Sequence, residues 1–285
     1  MCRQNGTAFF GLGLWATYLL LAGWAGNSFA QEPKLDFPEQ TLDQWHGFTR
    51  HKFQFEGRDA WVVEPQQPRA DRLFSWCLIF PDAFTERCAA PQLLAAGFYH
   101  VYCDVGNTFG APDAVARLGR FHDELCRRGL SKQAVLMGIS RGGLYAHNYA
   151  VAHPERVSVI YGDAAVLDFK SWPGGLGSGK GSATDWQDLL KLYQFQDEAA
   201  AIAYKGNPVD QLAPLHQAGV ALIYVVGDTD DVVPWSENTQ LVETRYRELG
   251  GVVEVLHKPE VGHHPHGLDD PTPVVQFILK HAGSK

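Results

Sequence analysis

Ten residues, 134–143, constrain the fold of this chain more than any others. Residues 134–137, Ala-Val-Leu-Met, are strand formers, and residues 144–150 suit a helix. Between them stands Gly138-Ile139-Ser140-Arg141-Gly142-Gly143. A strand that turns this abruptly into a helix leaves no room for side chains two positions either side of the serine. Gly138 and Gly142 meet that demand. The same turn strains the serine backbone and holds its hydroxyl clear of the sheet, where a base and a ligand reach it.

The rest of the chain supplies the setting for such a turn. Residues 50–55 and 59–63 flank Glu56-Gly57-Arg58 and predict a hairpin. Residues 73–80 form a continuous apolar run, the pattern of a strand buried on both faces. Further strands are predicted at 98–105, 134–137, 157–161, 221–226 and 252–256. Helices fall between and after them, at 89–96, 113–128, 236–249 and 273–281. Strand–helix alternation after an antiparallel start predicts an α/β fold, a mostly parallel eight-stranded sheet with helices on both faces. Residues 165–215 break the alternation. They are too long for an ordinary connection, and they read as a lid inserted over the C-terminal edge of the sheet. Its aromatics Trp172, Trp186, Tyr193 and Tyr204 either line a pocket or pack the lid onto the body. Residues 31–47 are polar and broken by Pro33 and Pro38, so an irregular lead-in is expected before a domain over 48–285.

Residues 1–30 stand apart. Arg3 is their only charge, an apolar run follows, and Ser28 and Ala30 fit a signal-peptidase site before Gln31. A retained membrane anchor is the alternative. Both readings export the body, to the periplasm or the medium. The chain of 285 residues carries 24 basic against 32 acidic residues, a net of −8 that becomes −9 once Arg3 leaves. That balance argues against nucleic acid or an anionic membrane as partner. An oxidising compartment permits disulfides among Cys77, Cys88, Cys103 and Cys126, but Cys77 and Cys103 lie in apolar runs where free thiols are also common, and no pairing is assigned.

A serine hydroxyl is a weak nucleophile without a base, and the base needs a carboxylate to orient it. Both types follow predicted strands. Gly227-Asp228-Thr229-Asp230-Asp231-Val232-Val233-Pro234 comes after 221–226, and Val261-Gly262-His263-His264-Pro265-His266 comes after 252–256. Asp163 also ends a strand and is an alternative acid. Three histidines within four positions also invite a metal reading, yet no cysteine or carboxylate spacing completes such a site, and no metal is expected.

These strings, in the order Ser, Asp, His, resemble the α/β-hydrolase superfamily, in its dienelactone-hydrolase and prolyl-oligopeptidase-like branch. The resemblance covers residue 48 to about 281. It implies a catalytic triad of Ser140, Asp230 and His263, with Asp230 preferred over Asp228 and Asp231 through the match at Gly227, Asp230, Val233 and Pro234. Glu260 departs from the glycine often found before the histidine. The resemblance also implies an oxyanion hole from the Arg141 backbone N–H and a donor in the loop 80–84, with Ala83 the expected one. That loop lacks the family's usual His-Gly start. Trp172 and His264 are expected to contact substrate, and the Arg141 guanidinium either meets an anionic substrate group or braces the elbow.

The function expected is that of an exported serine hydrolase cleaving carboxylic esters without a cofactor, with a small-molecule or acylated carbohydrate ester as substrate. A small peptidase of the prolyl-oligopeptidase type and a non-catalytic binding module on the same fold are the alternatives.

Overall fold

The computed structural model describes residues 35–283, so the leader over 1–30 lies outside the described residues. Among the described residues no helix is long and apolar enough to cross a membrane.

Two hairpins open the fold. Strands β1 (Thr41–Trp45), β2 (Phe48–Phe55) and β3 (Arg58–Val63) run antiparallel. Their two-residue turns, His46-Gly47 and Glu56-Gly57, hold φ at 49° and 82° and at 49° and 73°. Two successive positive φ values match the twist of the flanking strands, and glycine at the second position makes them inexpensive. The chain then alternates β4 (Phe74–Cys77), α1 (Ala90–Ala95), β5 (Tyr99–Cys103), α2 (Pro112–Arg127), β6 (Ala134–Ile139), α3 (Gly142–Ala152) and β7 (Val157–Asp163). After α4 (Ala183–Leu192), α5 (Glu198–Ala203) and α6 (Ala213–Gln217) come β8 (Ala221–Gly227), α7 (Thr239–Glu248), β9 (Val253–Lys258) and α8 (Thr272–His281).

All strands join one sheet in the order β1-β2-β3-β5-β4-β6-β7-β8-β9, parallel from β5 onward. The sheet has nine strands where eight were expected. The additional one is β1, inside the 31–47 segment that the sequence marks as irregular. β1 is an edge strand in which only Trp45 is buried, so its polar composition hid it. β4 also ends earlier than its apolar run, because the backbone leaves the sheet and Phe80 turns to φ 60°.

Alternate residues of the parallel strands feed two cores. Leu136, Ile160 and Tyr224 face α2, α3 and α7 through Phe121, Tyr149 and Tyr246. Val135, Met137, Tyr161 and Val225 face α1 and α8 through Leu93, Leu94 and Ile278. Segment 165–215 is packed into the first core. Phe169 meets Trp186, Tyr193 and Tyr204 at 5.4–6.0 Å, and the amide of Asn238 accepts the Leu167 and Asp168 N–H groups at 2.8 and 3.1 Å. Trp186, Tyr193 and Tyr204 thus pack within the insertion, and Tyr193 also fastens it to the body, its hydroxyl donating to the Phe109 carbonyl at 2.8 Å and accepting from the Asn148 amide at 2.9 Å. Cys77, Cys88 and Cys103 are buried free thiols, and Cys126 is a half-buried one.

Three buried histidines should make the fold acid-labile. Burial holds His100 down to about 3, and His122 and His147 to about 4, from an ordinary value of 6.5. Above pH 6.5 both the folded and unfolded states leave them neutral, and they cost nothing. Below it the unfolded chain binds protons that the native state refuses, so stability falls as pH drops from 6.5 toward 4. Each group contributes a penalty on the order of a few kcal/mol. Thermal melts from pH 7 to pH 4 should show a steep fall in Tm, shallower in His147→Gln. An unchanged slope in that variant would show that His147 takes no part.

Candidate active site

The elbow follows β6. Ser140 sits at φ 51°, a region that L-residues with side chains seldom occupy. The surroundings hold it there. Its N–H donates to the Asp163 carbonyl at 2.8 Å, and its carbonyl accepts from the Gly143 and Val166 N–H groups at 3.0 and 2.9 Å. A Cβ on Gly138 would lie 2.7 Å from the Gly142 carbonyl oxygen, so strand and helix meet there backbone to backbone. Gly143, outside the five-residue motif, is as confined, since a Cβ there would reach 2.6 Å from the Val166 carbonyl oxygen.

β8 and β9 end beside this turn and deliver the other two groups. The Ser140 hydroxyl donates to His263 Nε2 at 2.9 Å, and His263 Nδ1 donates to Asp230 Oδ2 at 2.8 Å. A carboxylate only accepts, so the Asp230 contact puts the imidazole proton on Nδ1 and leaves a lone pair on Nε2 for the serine proton. The other Asp230 oxygen accepts the Val232 and Val233 N–H groups at 2.9 and 2.8 Å, which fixes the carboxylate from behind. Asp230 is buried and His263 half-buried. The two loops pass closely because Gly227 has no side chain; a Cβ there would lie 2.3 Å from the Gly262 carbonyl oxygen.

The neighbouring acids are engaged elsewhere. Asp228 accepts from His257 at 2.6 Å, and Asp231 pairs with Lys180 at 2.5 Å. Asp163, fully buried, accepts from His266 Nδ1 at 2.6 Å, from the Gly267 N–H at 2.8 Å and from the Tyr161 hydroxyl at 3.1 Å. The alternative acid thus faces His266, not His263. Through its carbonyl and its carboxylate, Asp163 ties the elbow to the histidine loop.

The expected second oxyanion donor is engaged elsewhere. The Ala83 N–H donates to the Phe80 carbonyl at 3.0 Å in a local turn and is not available. The N–H of Phe80, at the sharp turn after β4, has no hydrogen-bond partner among the described residues, and neither has that of Arg141. Ile79 abuts the elbow, with its Cγ2 3.0 Å from where a Gly142 Cβ would stand. Phe80 was not singled out in the sequence, because a bulky residue gives no local signal for the positive φ it adopts here.

Around the mouth, the Arg141 guanidinium lies over Trp172 at 4.9 Å and over Phe80 and Phe109 at 5.7 Å each. It also donates to Asn107 at 2.7 Å and lies 3.5 Å from Asp185. Trp172 is therefore next to the site but mostly buried against Arg141. His264 is exposed, stacked on Phe84 at 6.0 Å, and pushed below the ordinary imidazole range by burial and by His266 and His263 beside it.

No protein-family model and no curated protein matches this sequence. Solved structures do. Acetyl xylan esterase 1 from a Thermoanaerobacterium species superposes with a TM-score of 0.56 at 17% identity, over 86% of this chain and 88% of that one. An S-formylglutathione hydrolase from Agrobacterium tumefaciens gives 0.57 at 14%, over 79% and 91%. Dipeptidyl peptidase 4 from Porphyromonas gingivalis gives 0.57 at 13%, over 85% of this chain but 35% of its own. The chain spans 35–38% of the length of the peptidases it matches. With its sheet order and elbow, the chain has the α/β-hydrolase fold.

Proposed function

We propose that this protein is an exported serine hydrolase that cleaves carboxylic esters through an acyl-enzyme. The observation that carries the reading is the unbroken hydrogen-bond chain from the Ser140 hydroxyl through His263 to Asp230. His263 Nε2 takes the hydroxyl proton as Ser140 Oγ attacks the ester carbonyl. Asp230 holds the tautomer and stabilises the imidazolium that forms. The Arg141 and Phe80 N–H groups receive the oxyanion. His263 then returns the proton to the leaving alcohol, and water repeats the steps to release the acid.

Two features support an ester over an amide substrate. The neighbours matched over nearly their whole length include the xylan esterase and the formylglutathione hydrolase, whereas the peptidases are matched over about a third. Phe80 and Phe84, partly exposed beside the site with Arg141 and His264 over their rings, leave apolar edges for an acyl group, and an acylated sugar is the substrate class we favour. The peptidase reading shares every catalytic group. A panel of p-nitrophenyl esters, acetylated xylan and aminoacyl-nitroanilides separates the two. Release from the esters alone is expected, and faster release from the nitroanilides would make the protein a peptidase. Failure of a fluorophosphonate to label the native protein would leave the binding-module reading.

A further inference from the structure

The histidine loop holds more than the triad uses. His263, His264 and His266 each offer a ring nitrogen, and these nitrogens lie within 4.8 Å of one another. The rings stand nearly perpendicular in all three pairs, with centroids 4.7–5.0 Å apart. Two of the three are oriented in the way that metal-binding imidazoles usually are. His263 gives Nδ1 to Asp230 and His266 gives Nδ1 to Asp163, so each carboxylate fixes its ring with the lone pair on Nε2. The triad needs one such carboxylate–imidazole pair. The second, buried beside it, has no part in the mechanism above. His264 is exposed, with its ring stacked on Phe84 at the edge of the loop.

We infer that these three histidines form a site for a borderline divalent transition metal, of which zinc is the test case, and that the bound ion blocks the proposed reaction. Three imidazoles suit zinc, copper or nickel, while magnesium and calcium prefer oxygen donors. Zinc–nitrogen bonds of about 2.0–2.1 Å require nitrogens roughly 3.4 Å apart, so the widest pair must close by up to about 1.4 Å. A water completes the tetrahedron. The metal takes the His263 Nε2 lone pair, the one that accepts the Ser140 proton, so metal and serine compete for one nitrogen. The blocking of turnover rests on the serine-hydrolase reading; the binding site does not.

Isothermal titration of zinc chloride into the untagged full chain tests the site directly. One equivalent should bind, with no comparable heat from magnesium or calcium. Ser140→Ala, which removes the competing hydroxyl, should bind zinc about three- to tenfold more tightly. His264→Ala, a change at an exposed position, should bind at least about tenfold more weakly. Zinc affinity that is the same in both variants as in the native chain would place the ion elsewhere and overturn the proposal, as would zinc binding no tighter than magnesium. In the activity arm, zinc should suppress ester hydrolysis and a chelator should restore it. Zinc bound with these variant responses by a protein that hydrolyses no ester supports the site and rejects the function; ester hydrolysis without zinc binding does the reverse.

Discussion

Replacing Ser140 with alanine should lower kcat on an activated ester by about a millionfold, to what binding and the oxyanion donors alone supply. The change deletes one oxygen from a half-buried side chain and leaves intact the backbone bonds that hold the elbow, from Ser140 N–H to Asp163 and from Gly143 and Val166 to its carbonyl. Melting temperature should therefore stay close to the native value while fluorophosphonate labelling disappears. Equal labelling of the native protein and the variant would move the nucleophile to another residue. The elbow glycines should behave in the opposite way. Gly138→Ala pushes a methyl group to 2.7 Å from a backbone oxygen and should reduce folded protein before it touches kcat.

Two aspartates adjoin the site, and the geometry assigns them different consequences. Asp230→Asn preserves shape but presents an amide where His263 Nδ1 needs an acceptor, so the imidazole settles in the wrong tautomer. A loss of about ten-thousandfold in kcat is expected. Asp163→Asn weakens a fully buried carboxylate that accepts three hydrogen bonds and spans the nucleophile and histidine loops. It should destabilise the fold by about 3 kcal/mol, with a smaller effect on the kcat of the protein that remains folded. Denaturant midpoints measured beside initial rates distinguish the two. The reverse pattern, with Asp163→Asn the more damaging to kcat at unchanged stability, would transfer the acid role to Asp163.

Much of this architecture was legible in the chain because it is written locally. Strand, turn and helix are consecutive around Ser140, the two-residue turns carry glycine, and the buried parallel strands are continuous apolar runs. β1 escaped because an edge strand needs apolar residues on one face only, and Trp45 is its sole buried side chain. Ala83 was a reasonable donor by position in its loop. Whether an N–H is free depends on how the turn closes, and this one closes with Ala83 bonded to Phe80. Trp172 shows the same limit. Its ring lies by the site, but the face it offers is covered by Arg141.

The chain alone determined most of the strands and helices from β2 onward, the strained turn at Ser140, and a short list of acids and histidines placed after strands. Local sterics and hydrophobic periodicity are sufficient for that. The motif match pointed to Asp230 with His263; only the tertiary structure made that pair a 2.8 Å contact, joined Asp163 to His266, and brought three imidazoles into one small space. Those pairings are set where β6, β7, β8 and β9 lie side by side and their loops converge, across separations of 33 and 103 residues that no local pattern encodes.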